Sequence, residues 1–298
     1  MSLKIVVLVK QVPDTSNIVA DAMKEDGTVN RGALPAIFNP EDLNALETAL
    51  SIKDEMEATI SVITMGPPKA ADVLRDTLFR GADRVFLVTD RRFAGADTLA
   101  TSYTLTKAIL KVEPEFDLVL CGRQAIDGDT AQVGPQVADK LGVPQVSYVE
   151  RIEKVENGQL TIKRLIQDGV EWVTAKLPTL LTVVNTANEP RPPKAKLLMK
   201  YKYAACELEL KELLRKFPEY DSVNELRDYL VKKGLYIPIL NADNLNVEES
   251  RIGISGSPTK VKKIDRVVLT GGELKLFEDT DESLQDLINE LVSDYVVS

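Results

Sequence analysis

Four short apolar runs, separated by segments with helical spacing, constrain the fold of this chain more than any other feature. The runs are LKIVVLVK, TISVITMG, DRVFLVTD and FDLVLCG, at residues 3–10, 59–66, 83–90 and 116–122. Continuous apolar runs of this length are typical of strands that are buried on both faces. The alternation of strands and helices predicts right-handed crossovers and a doubly wound, mostly parallel α/β sheet with helices on both faces.

Capping and first-turn residues indicate where the helices begin. Asn39 suits the N-cap of the first helix, and Pro40 suits its first helical position, where the missing amide hydrogen costs nothing. A further helix is expected over residues 97–111, with one apolar face formed by Leu99, Tyr103, Thr106 and Leu110. A loop and a helix that ends near residue 141 follow the fourth strand.

The second half of the chain changes character. The stretches QVSYVERIE, QLTIKRLI and EWVTAKLPTLLTVV predict β structure, expected as an antiparallel flank of the same sheet. Pro190, Pro192 and Pro193 exclude a helix at the start of NEPRPPKAKLLMK and favour an extended, exposed segment there. Helical structure is expected over residues 207–235, and an amphipathic helix near residues 282–292 requires a surface to pack on.

Length and composition bound the class of protein. The 298 residues, 44% apolar and 28% charged, fit one large globular domain or two modest ones. The 37 basic and 46 acidic residues give a net charge of −9, which disfavours nucleic acid and anionic membrane surfaces as main partners. No window reaches the ~18 consecutive apolar residues that a membrane span needs. The first residues lack a basic leader and a cleavage site, so no secretory signal is expected.

The chain contains no histidine, which excludes Ser-His-Asp and Cys-His catalysis and every histidine-ligated metal site. Cys121 and Cys206 lack CxxC spacing, so no metal site is expected, and a reducing cytoplasm is the expected compartment. Any redox chemistry would therefore require a bound organic cofactor.

The segment after the fourth strand, residues 121–134, is the richest candidate for binding. Ligands of open α/β sheets bind at the carboxyl ends of the strands, where the strand order reverses. Gly122 and Gly128 would permit positive φ and close approach of a ligand, and successive amides at a helix start form an anion site. Thr130 and Gln132 add neutral donors, whereas the nearby carboxylates suit local amides or ribose hydroxyls better than phosphate.

Other interpretations of this loop stay open. The stretch DGDT is also an ordinary turn followed by a helix cap, and the helix could start at Asp129 or at Gly134. Lys10 could contact a nucleotide or simply end a strand, and Arg123 could support an anionic group or form a surface ion pair. Neither GxGxxG nor GxxxxGK[ST] occurs, which disfavours a dinucleotide-fold dehydrogenase and a P-loop NTPase.

Six motifs, in order along residues 1 to about 200, resemble the β subunit of electron transfer flavoproteins. They are VLVKQVPDT, FNPEDLNALE, VITMGPP, FRGADRVFLVTD, CGRQAIDGDTAQVGPQVA and NEPRPPKAKLLMK. The form GRQAIDGDTAQVGP, with VPDT near the start, resembles the flavin-bifurcating branch of that family.

The resemblance implies a heterodimer with an α subunit that holds one FAD. This chain would bind an adenine nucleotide in its sheet, namely a second FAD in bifurcating members or AMP in simple ones. In a bifurcating member the β-site FAD takes electrons from NADH. One electron then passes through the α-subunit FAD to an acyl-CoA dehydrogenase-type partner, and the other passes to ferredoxin or flavodoxin.

The resemblance also implies which residues contact the nucleotide. Arg123 is a hypothesised support for an anionic flavin. The implied contacts lie at strand ends and helix starts, and they are Val9, Asn39, Pro40, Glu41, Asp42, Met65, Gly66, Gly122, Arg123, Gln124, Ala125, Ile126, Asp127, Gly128, Asp129, Thr130, Ala131, Gln132 and Val133.

The chain departs from the family pattern at two places. Residues 188–200 resemble the loop that engages the dehydrogenase, but Ala195 stands where the family commonly has a leucine, and Leu197 or Leu198 could substitute. The helical stretch 207–235 resembles an insertion before the family's tail, which resumes with GISGSPTKV. We therefore expect a nucleotide-binding domain over residues 1–187. Residues 188–298 would comprise the recognition loop, the insertion and an arm that packs on the α subunit.

Three functional hypotheses follow. The first is a bifurcating, FAD-binding electron-transfer subunit that oxidises NADH only as a heterodimer. The second is a non-bifurcating subunit with structural AMP in the same pocket. The third is an adenine-nucleotide-binding sensor or an ATP-dependent ligase, against which the missing P-loop counts only modestly.

Overall fold

A computed structural model describes residues 2–14, 35–259 and 275–293 of the chain. The first half contains β1 (Leu3–Val9), β2 (Gln11–Pro13), β3 (Ala36–Phe38), α1 (Pro40–Glu55), β4 (Ala58–Met65), α2 (Ala71–Arg80), β5 (Arg84–Val88), α3 (Thr98–Val112), β6 (Leu118–Gly122) and α4 (Val133–Leu141). The second half contains β7 (Gln145–Glu156), β8 (Gln159–Ile166), β9 (Gly169–Lys176), β10 (Thr179–Val183), α5 (Ala195–Tyr201), β11 (Ala205–Cys206), α6 (Leu210–Leu213), α7 (Val223–Lys233), β12 (Tyr236–Ile237), β13 (Ile239–Leu240) and α8 (Asp281–Ser293). The ends of two quoted motifs, Thr15 and residues 260–261, lie outside the described residues.

One nine-stranded sheet forms the centre of the fold, in the order β13-β5-β4-β1-β6-β10-β7-β8-β9. The strands are parallel from β13 to β7, and β7, β8 and β9 form an antiparallel flank. The predicted doubly wound α/β sheet and its antiparallel flank are thereby confirmed. The stretch EWVTAKLPTLLTVV, however, divides into two strands, and β10 lies parallel between β6 and β7.

The strand order reverses beside β1. The chain proceeds from β1 outward to β4 and β5, then crosses to the other side of β1 to form β6. Alternate residues of β1 face opposite layers of the core. Ile5 and Val7 pack in the layer that contains α1 and α2, whereas Val6 and Leu8 pack in the layer that contains α3 and α4. Both faces of β1 are therefore buried, as its continuous apolar run predicts.

The apolar face predicted for α3 is wrong in part. Tyr103 and Thr106 are buried, but Leu99 and Leu110 are 43% and 44% exposed. The buried side of the helix instead contains small residues with Leu105 and Ile109. Ala100 and Ala108 are fully buried and let this side of the helix approach the sheet closely. Leu99 and Leu110 lie on the outer side.

The extended segment predicted around the three prolines is present, and it is fastened to α1. The side chains of Asn44 and Asn188 each donate to the other's backbone carbonyl, at 2.7 and 3.1 Å. The guanidinium of Arg191 pairs with the buried carboxylate of Glu47 at 2.8 Å and with Asp54 at 2.7 Å. The segment ends at Lys194, where α5 begins, a short helix that the sequence pattern does not predict.

The helical character predicted for residues 207–235 is confirmed, although the segment is broken. Short helical turns over residues 207–216 precede α7, and Leu210, Leu226 and Leu230 form a small separate core. The described residues up to 259 belong to one unit, because β13 pairs with β5 and α5 packs on α2. The functional division at residue 188 stays a prediction.

The amphipathic helix predicted near the C-terminus is confirmed as α8, in a second unit of the chain. Leu284, Ile288 and Val292 lie along α8 at helical spacing and are 43–51% exposed. Among the described residues, no helix is both long enough and apolar enough to cross a membrane.

Candidate functional site

A cleft of about 800 Å³ lies at the carboxyl edge of the sheet. Its walls come from the residues that end or follow β1, β4, β5 and β6, together with the first turns of α3 and α4. It therefore spans the position beside β1 where the strand order reverses, as the general rule for open α/β sheets predicts. The volume lies in the upper part of the range for ligand sites, roughly 300–1,000 Å³.

The carboxylate of Asp42 joins two strand ends beside this cleft. Its two oxygens accept hydrogen bonds from the backbone amides of Lys10 and Gly122, each at 2.9 Å. Gly122 approaches the start of α1 so closely that a Cβ would lie 2.6 Å from Asp42 Oδ1 and 2.8 Å from the carbonyl carbon of Glu41. Only glycine fits there, because the obstructing atoms include backbone.

Burial raises the pKa of Asp42 to about 7 from its ordinary value of 3.8. The hydrogen bonds from Gly122, Asn39 and Lys10 favour the charged form, but they only partly offset the loss of hydration. Asp42 is thus a carboxyl that titrates near neutral pH at the edge of the cleft.

Asn39 and Glu41 hold the loop that follows β6. The Asn39 side chain donates to the carbonyl of Gln124 at 2.9 Å and accepts from the amide of Ile126 at 3.1 Å. Glu41 accepts from the amide of Gln124 at 2.9 Å. Asn39 does occupy the N-cap position with Pro40 following it, but its side chain makes no capping bond, because it serves this loop instead.

Arg123 is held in place on two sides. Its guanidinium lies 2.9 Å from the buried carboxylate of Glu41 and 5.4 Å from the ring centre of Tyr148. Burial disfavours the charge, but the hydrogen bond and attraction from Glu41 outweigh it and raise the pKa of Arg123. Arg123 therefore forms an ion pair with Glu41 and also lines the cleft as a fixed cation. The two interpretations of this residue are compatible.

The two carboxylates that make the loop awkward for phosphate are each engaged by a neighbour. The ammonium of Lys10 lies 2.7 and 2.8 Å from the two oxygens of Asp127. The side-chain amide of Gln124 donates to Asp129. Their negative charge is thereby partly neutralised within the loop.

Backbone amides of the same loop are available to an anion. Thr130, Ala131, Gln132, Val133 and Gly134 line the cleft, and in the described part of the chain none of their amides has an acceptor. Asp129 and Ala131 adopt positive φ, 56° and 52°, so left-handed residues alternate along the loop. This conformation forms the backbone concavities that bind anions.

The glycines of this loop do not have the positive φ predicted for them, whereas the predicted close approach of a ligand to them stays a prediction. Neither Gly122 nor Gly128 adopts positive φ, and a Cβ at Gly128 would meet nothing within 4 Å. Asp129 and Ala131 supply the left-handed conformation instead, and Gly122 is needed for close packing. The conformation of the turn is fixed by hydrogen bonds with α1 and its N-cap, not by the wide φ range of glycine.

The two helix starts at the cleft differ in how they are capped. The carboxylate of Asp97 caps α3 by accepting from the amides of Leu99 and Ala100, at 2.9 and 3.1 Å. The start of α4 at Val133 has no side-chain cap, and Pro135 lies in its first turn, where no amide hydrogen is needed. The positive end of α4 is therefore the one left for an anion.

Most of the predicted contact residues line the cleft, and some do not. Asn39, Pro40, Glu41, Ile126 and Asp127 lie outside its wall, where they support the loop or α1. The predicted residues that line it are Val9, Asp42, Met65, Gly66, Gly122, Arg123, Gln124, Ala125, Gly128, Asp129, Thr130, Ala131, Gln132 and Val133. Contact of any of them with a nucleotide stays a prediction.

The wall that follows β5 is absent from the contacts predicted from the sequence. Asp90, Arg91 and residues 93–98 line the cleft, as does Thr259, whose hydroxyl donates to Asp97 at 2.7 Å. Among the described residues, no carboxylate pairs with Arg91, which is exposed. The rule that located the other loops applies equally here, because β5 ends at the same edge of the sheet.

Both cysteines are buried and unpaired, and burial raises the pKa of the Cys121 thiol well above its usual range. Cys121 is therefore a core residue, as predicted. The described residues contain no group of three or more acidic or cysteine side chains able to hold a metal ion.

Comparison with known proteins gives a consistent result. Residues 26–205 match the family model described as the electron transfer flavoprotein domain. Over 99% of its length the chain is 40% identical to the electron transfer flavoprotein subunit beta of Thermoanaerobacterium thermosaccharolyticum, which it covers completely.

Two further relatives match over 99% of this chain and over their whole length. The chain is 39% identical to the caffeyl-CoA reductase-Etf complex subunit CarD of Acetobacterium woodii. It is 38% identical to the acryloyl-CoA reductase electron transfer subunit gamma of Anaerotignum propionicum.

Proposed function

The chain belongs to the electron transfer flavoprotein β-subunit family, and from that premise we propose that it binds FAD in the cleft and bifurcates electrons from NADH. It would act as a heterodimer with an α subunit. One electron would go through the α-subunit FAD to an acyl-CoA dehydrogenase-type enzyme, and the other would go to ferredoxin or flavodoxin.

The observation that carries the proposal is the row of amides from Thr130 to Gly134, none of which has an acceptor in the ranges that the structure describes. A diphosphate needs several hydrogen-bond donors and a positive local field, and the uncapped start of α4 supplies both. Arg91 adds a cation to the cleft wall that has no carboxylate partner among the described residues, while Lys10 and Arg123 offset the carboxylates of Asp127 and Glu41. The donor set therefore fits an adenine nucleotide with a phosphate bridge.

The size of the cleft favours FAD over AMP. Neighbouring strands lie about 4.8 Å apart, so the carboxyl ends of β5 and β6 are separated by roughly 14 Å across β4 and β1. A mononucleotide would occupy only part of a cleft that is this wide and about 800 Å³ in volume. The remaining space is wide enough for an isoalloxazine ring.

The redox chemistry would be the cofactor's, since FAD can accept two electrons from NADH and release them singly. The protein residues would bind and orient it. The loop amides would hold the diphosphate, and Arg123, fixed by Glu41, would stabilise negative charge near the ring. Asp42 would keep the ends of β1 and β6 at a fixed separation beneath the ligand.

The dehydrogenase-type partner is supported by the names of the relatives, which mention a caffeyl-CoA reductase and an acryloyl-CoA reductase. We assign its contact to α5. Ala195 offers little apolar surface, and Leu197 is half-buried, but Leu198 and Met199 are 42% and 64% exposed. Met199 and Leu198 would therefore replace the family's leucine as the apolar anchor.

A lysine-rich surface surrounds this anchor. Lys194, Lys196, Lys200 and Lys202 are exposed, and none pairs with a carboxylate in the described residues. Lys200 and Lys202 lie against their own neighbouring tyrosine rings, at 4.5 and 4.8 Å. A partner with an acidic rim around an apolar pocket would match this surface.

The cytoplasm remains the expected compartment. Cys121 and Cys206 are free thiols, which persist in reducing surroundings.

An anaerobic NADH titration of the co-expressed heterodimer, followed by absorbance, tests the proposal. Two FAD per heterodimer, both reduced by NADH, is the expected result. One FAD plus one AMP, found after acid release of the ligands, would instead identify the non-bifurcating alternative. A colourless preparation that turns over ATP would identify the sensor or ligase alternative and reject the family-based proposal of flavin binding.

A further inference from the structure

The outer side of α3 carries a second, smaller cavity, distinct from the cleft. It has a volume of about 230 Å³ and lies among α3, the end of α4 and the segment around residue 251. Its wall is formed by Leu99, Tyr103, Lys140, Ser250, Arg251 and Gly256.

Three cations gather around this cavity. The guanidinium of Arg251 lies 4.1 Å from the ring centre of Tyr103, and the ammonium of Lys107 lies 5.7 Å from the same ring. Both distances are within the range of cation–π contacts, which hold a charge in place without neutralising it. Lys140 contributes the third charge at the cavity wall.

Little negative charge opposes these cations. Glu248 lies 3.6 Å from Arg251, which is a loose pair between two exposed side chains. Neither Lys107 nor Lys140 pairs with a carboxylate within the ranges that the structure describes, although the exposed Asp139 is adjacent in sequence to Lys140. A local excess of positive charge therefore exists in a chain whose net charge is −9.

One exposed apolar side chain adjoins the charges. Leu99 on α3 lines the cavity and is 43% exposed. We call Leu99, Lys107, Lys140 and Arg251, which lie around the buried ring of Tyr103, the α3 surface. An exposed apolar side chain beside an excess of cations is typical of a docking surface for an acidic protein.

The α3 surface lies close to the cleft. Thr98, Thr101 and Leu105 of α3 line the cleft, whereas Leu99 and Tyr103, on the other side of the same two turns, line the basic cavity. A helix with its side chains is about 10–12 Å across. A protein docked on the α3 surface would therefore come within about one helix diameter of a cofactor in the cleft.

We propose that the α3 surface is the docking site of a small acidic electron-carrier protein, which receives electrons from the cleft. The assignment rests on the proposed function, since it presumes a reducible cofactor there. A net charge of −9 repels acidic proteins from most of the chain, so the basic α3 surface would orient the carrier as it approaches. The lysine-rich surface of α5 would receive the dehydrogenase, and the two electron routes would leave through different surfaces.

The test uses the co-expressed heterodimer with two double charge reversals. One variant is Lys107→Glu with Lys140→Glu, which leaves the Arg251–Tyr103 contact intact. The matched control is Lys196→Glu with Lys202→Glu on α5. Each preparation is assayed for NADH reduction of its own FAD, for reduction of an added ferredoxin or flavodoxin, and for reduction of a partner dehydrogenase.

We expect the α3 variant to reduce the carrier at least about tenfold more slowly than the wild type at low salt, with the difference shrinking as salt rises. Its FAD reduction should stay within about twofold of the wild type. The α5 control should show the opposite pattern, losing the dehydrogenase branch only. Carrier reduction that is unchanged in the α3 variant would overturn the assignment.

Two further outcomes are distinguishable. Failure of the α3 variant to form the heterodimer, seen by size-exclusion chromatography, would mean that the α subunit covers the α3 surface, and this too would overturn the assignment. Failure of NADH to reduce the wild-type heterodimer would instead reject the proposed function.

Discussion

The amide nitrogen of Gly122 lies 2.9 Å from Oδ1 of Asp42, and a Cβ at position 122 would lie 2.6 Å from the same oxygen. This bond joins the end of β6 to the first turn of α1. The contact fixes the position at which the β6–α4 loop begins.

Gly122→Ala should destabilise the protein and weaken the nucleotide binding that we propose. The added methyl group has no free space, because two of the obstructing atoms are backbone, so about 1–3 kcal/mol of unfolding free energy should be lost. Gly128→Ala is the matched control, since nothing lies within 4 Å of a Cβ there. Urea denaturation of both variants measures the difference, and equal stabilities would contradict the packing argument.

Substitutions at Ala131 should test whether nucleotide binding depends on the left-handed conformation of this residue. Ala131 has a φ of 52°, which glycine adopts freely and a β-branched residue almost never does. Ala131→Val should therefore lose bound nucleotide and about 1–3 kcal/mol of stability, whereas Ala131→Gly should stay within about 1 kcal/mol of the wild type. Nucleotide content per heterodimer and the melting temperature are the measurements. Retention of nucleotide in Ala131→Val would show that the amides are not the anion site.

The titration of Asp42 should make the stability of the protein depend on pH. Its pKa is about 7 in the folded protein against 3.8 ordinarily, so between these values the folded state keeps a proton that the unfolded state has lost. The free energy of unfolding should therefore fall by up to about 1.4 kcal/mol per pH unit as the pH rises through this window, and level off above it.

Asp42→Asn cannot titrate and supplies the control. The stability difference between the wild type and Asp42→Asn, from urea denaturation of the nucleotide-free proteins, should decline between about pH 5 and pH 7. Parallel pH profiles for the two proteins would show that Asp42 titrates in its ordinary range.

Asn39→Ala should loosen the loop without greatly changing α1. The side chain makes one bond to the Gln124 carbonyl and one to the Ile126 amide, and each unsatisfied partner costs about 1–3 kcal/mol where it is buried. Asn39→Asp retains the acceptor for Ile126 and should lose less. Nucleotide dissociation constants for both variants, alongside their circular dichroism, test this order. Asn39→Asp binding as weakly as Asn39→Ala would contradict it.

Arg191→Ala should release the segment that leads to α5. It leaves the buried Glu47 carboxylate unpaired, and we expect a loss of about 1–3 kcal/mol in stability and faster proteolysis within residues 188–200. Arg215→Ala, an exposed arginine with no ion pair among the described residues, is the control and should change neither. Protection of the segment in Arg191→Ala would mean that the amide pairs of Asn44 and Asn188 suffice to hold it.

The central sheet was predictable because its signals are local and repeated. Four first-half strands, β1, β4, β5 and β6, are continuous apolar runs, and two helix starts carry a recognisable residue, Asn39 before α1 and Asp97 before α3. The position of β10 was not predictable, because a parallel strand placed between β6 and β7 depends on long-range pairing. The prediction that Leu99 and Leu110 lie on the apolar face of α3 was wrong for a similar reason, since periodicity cannot show which side of a helix meets the sheet.

The location of the site was predictable from the sequence, but its individual contacts were less so. The rule of strand ends located the loop after β6, and the same rule applied to β5 would have added Arg91 and its neighbours. The roles of Asn39 and Glu41 depend on side chains that reach residues more than 80 positions away in the chain. No local pattern reports such contacts.

Helix α1 and its N-cap bond to two separate segments of the chain, the cleft loop and the segment before α5, and thereby connect them. Its first turn holds the cleft loop through Asn39 and Glu41, and its next turns hold the segment before α5 through Asn44 and Glu47. A ligand that displaces the loop must either carry this helix with it or break bonds at its end. Occupancy of the cleft and the placement of α5 would then be energetically linked. A protein that binds α5 would alter the affinity for the nucleotide by the same factor by which the nucleotide alters the affinity for that protein.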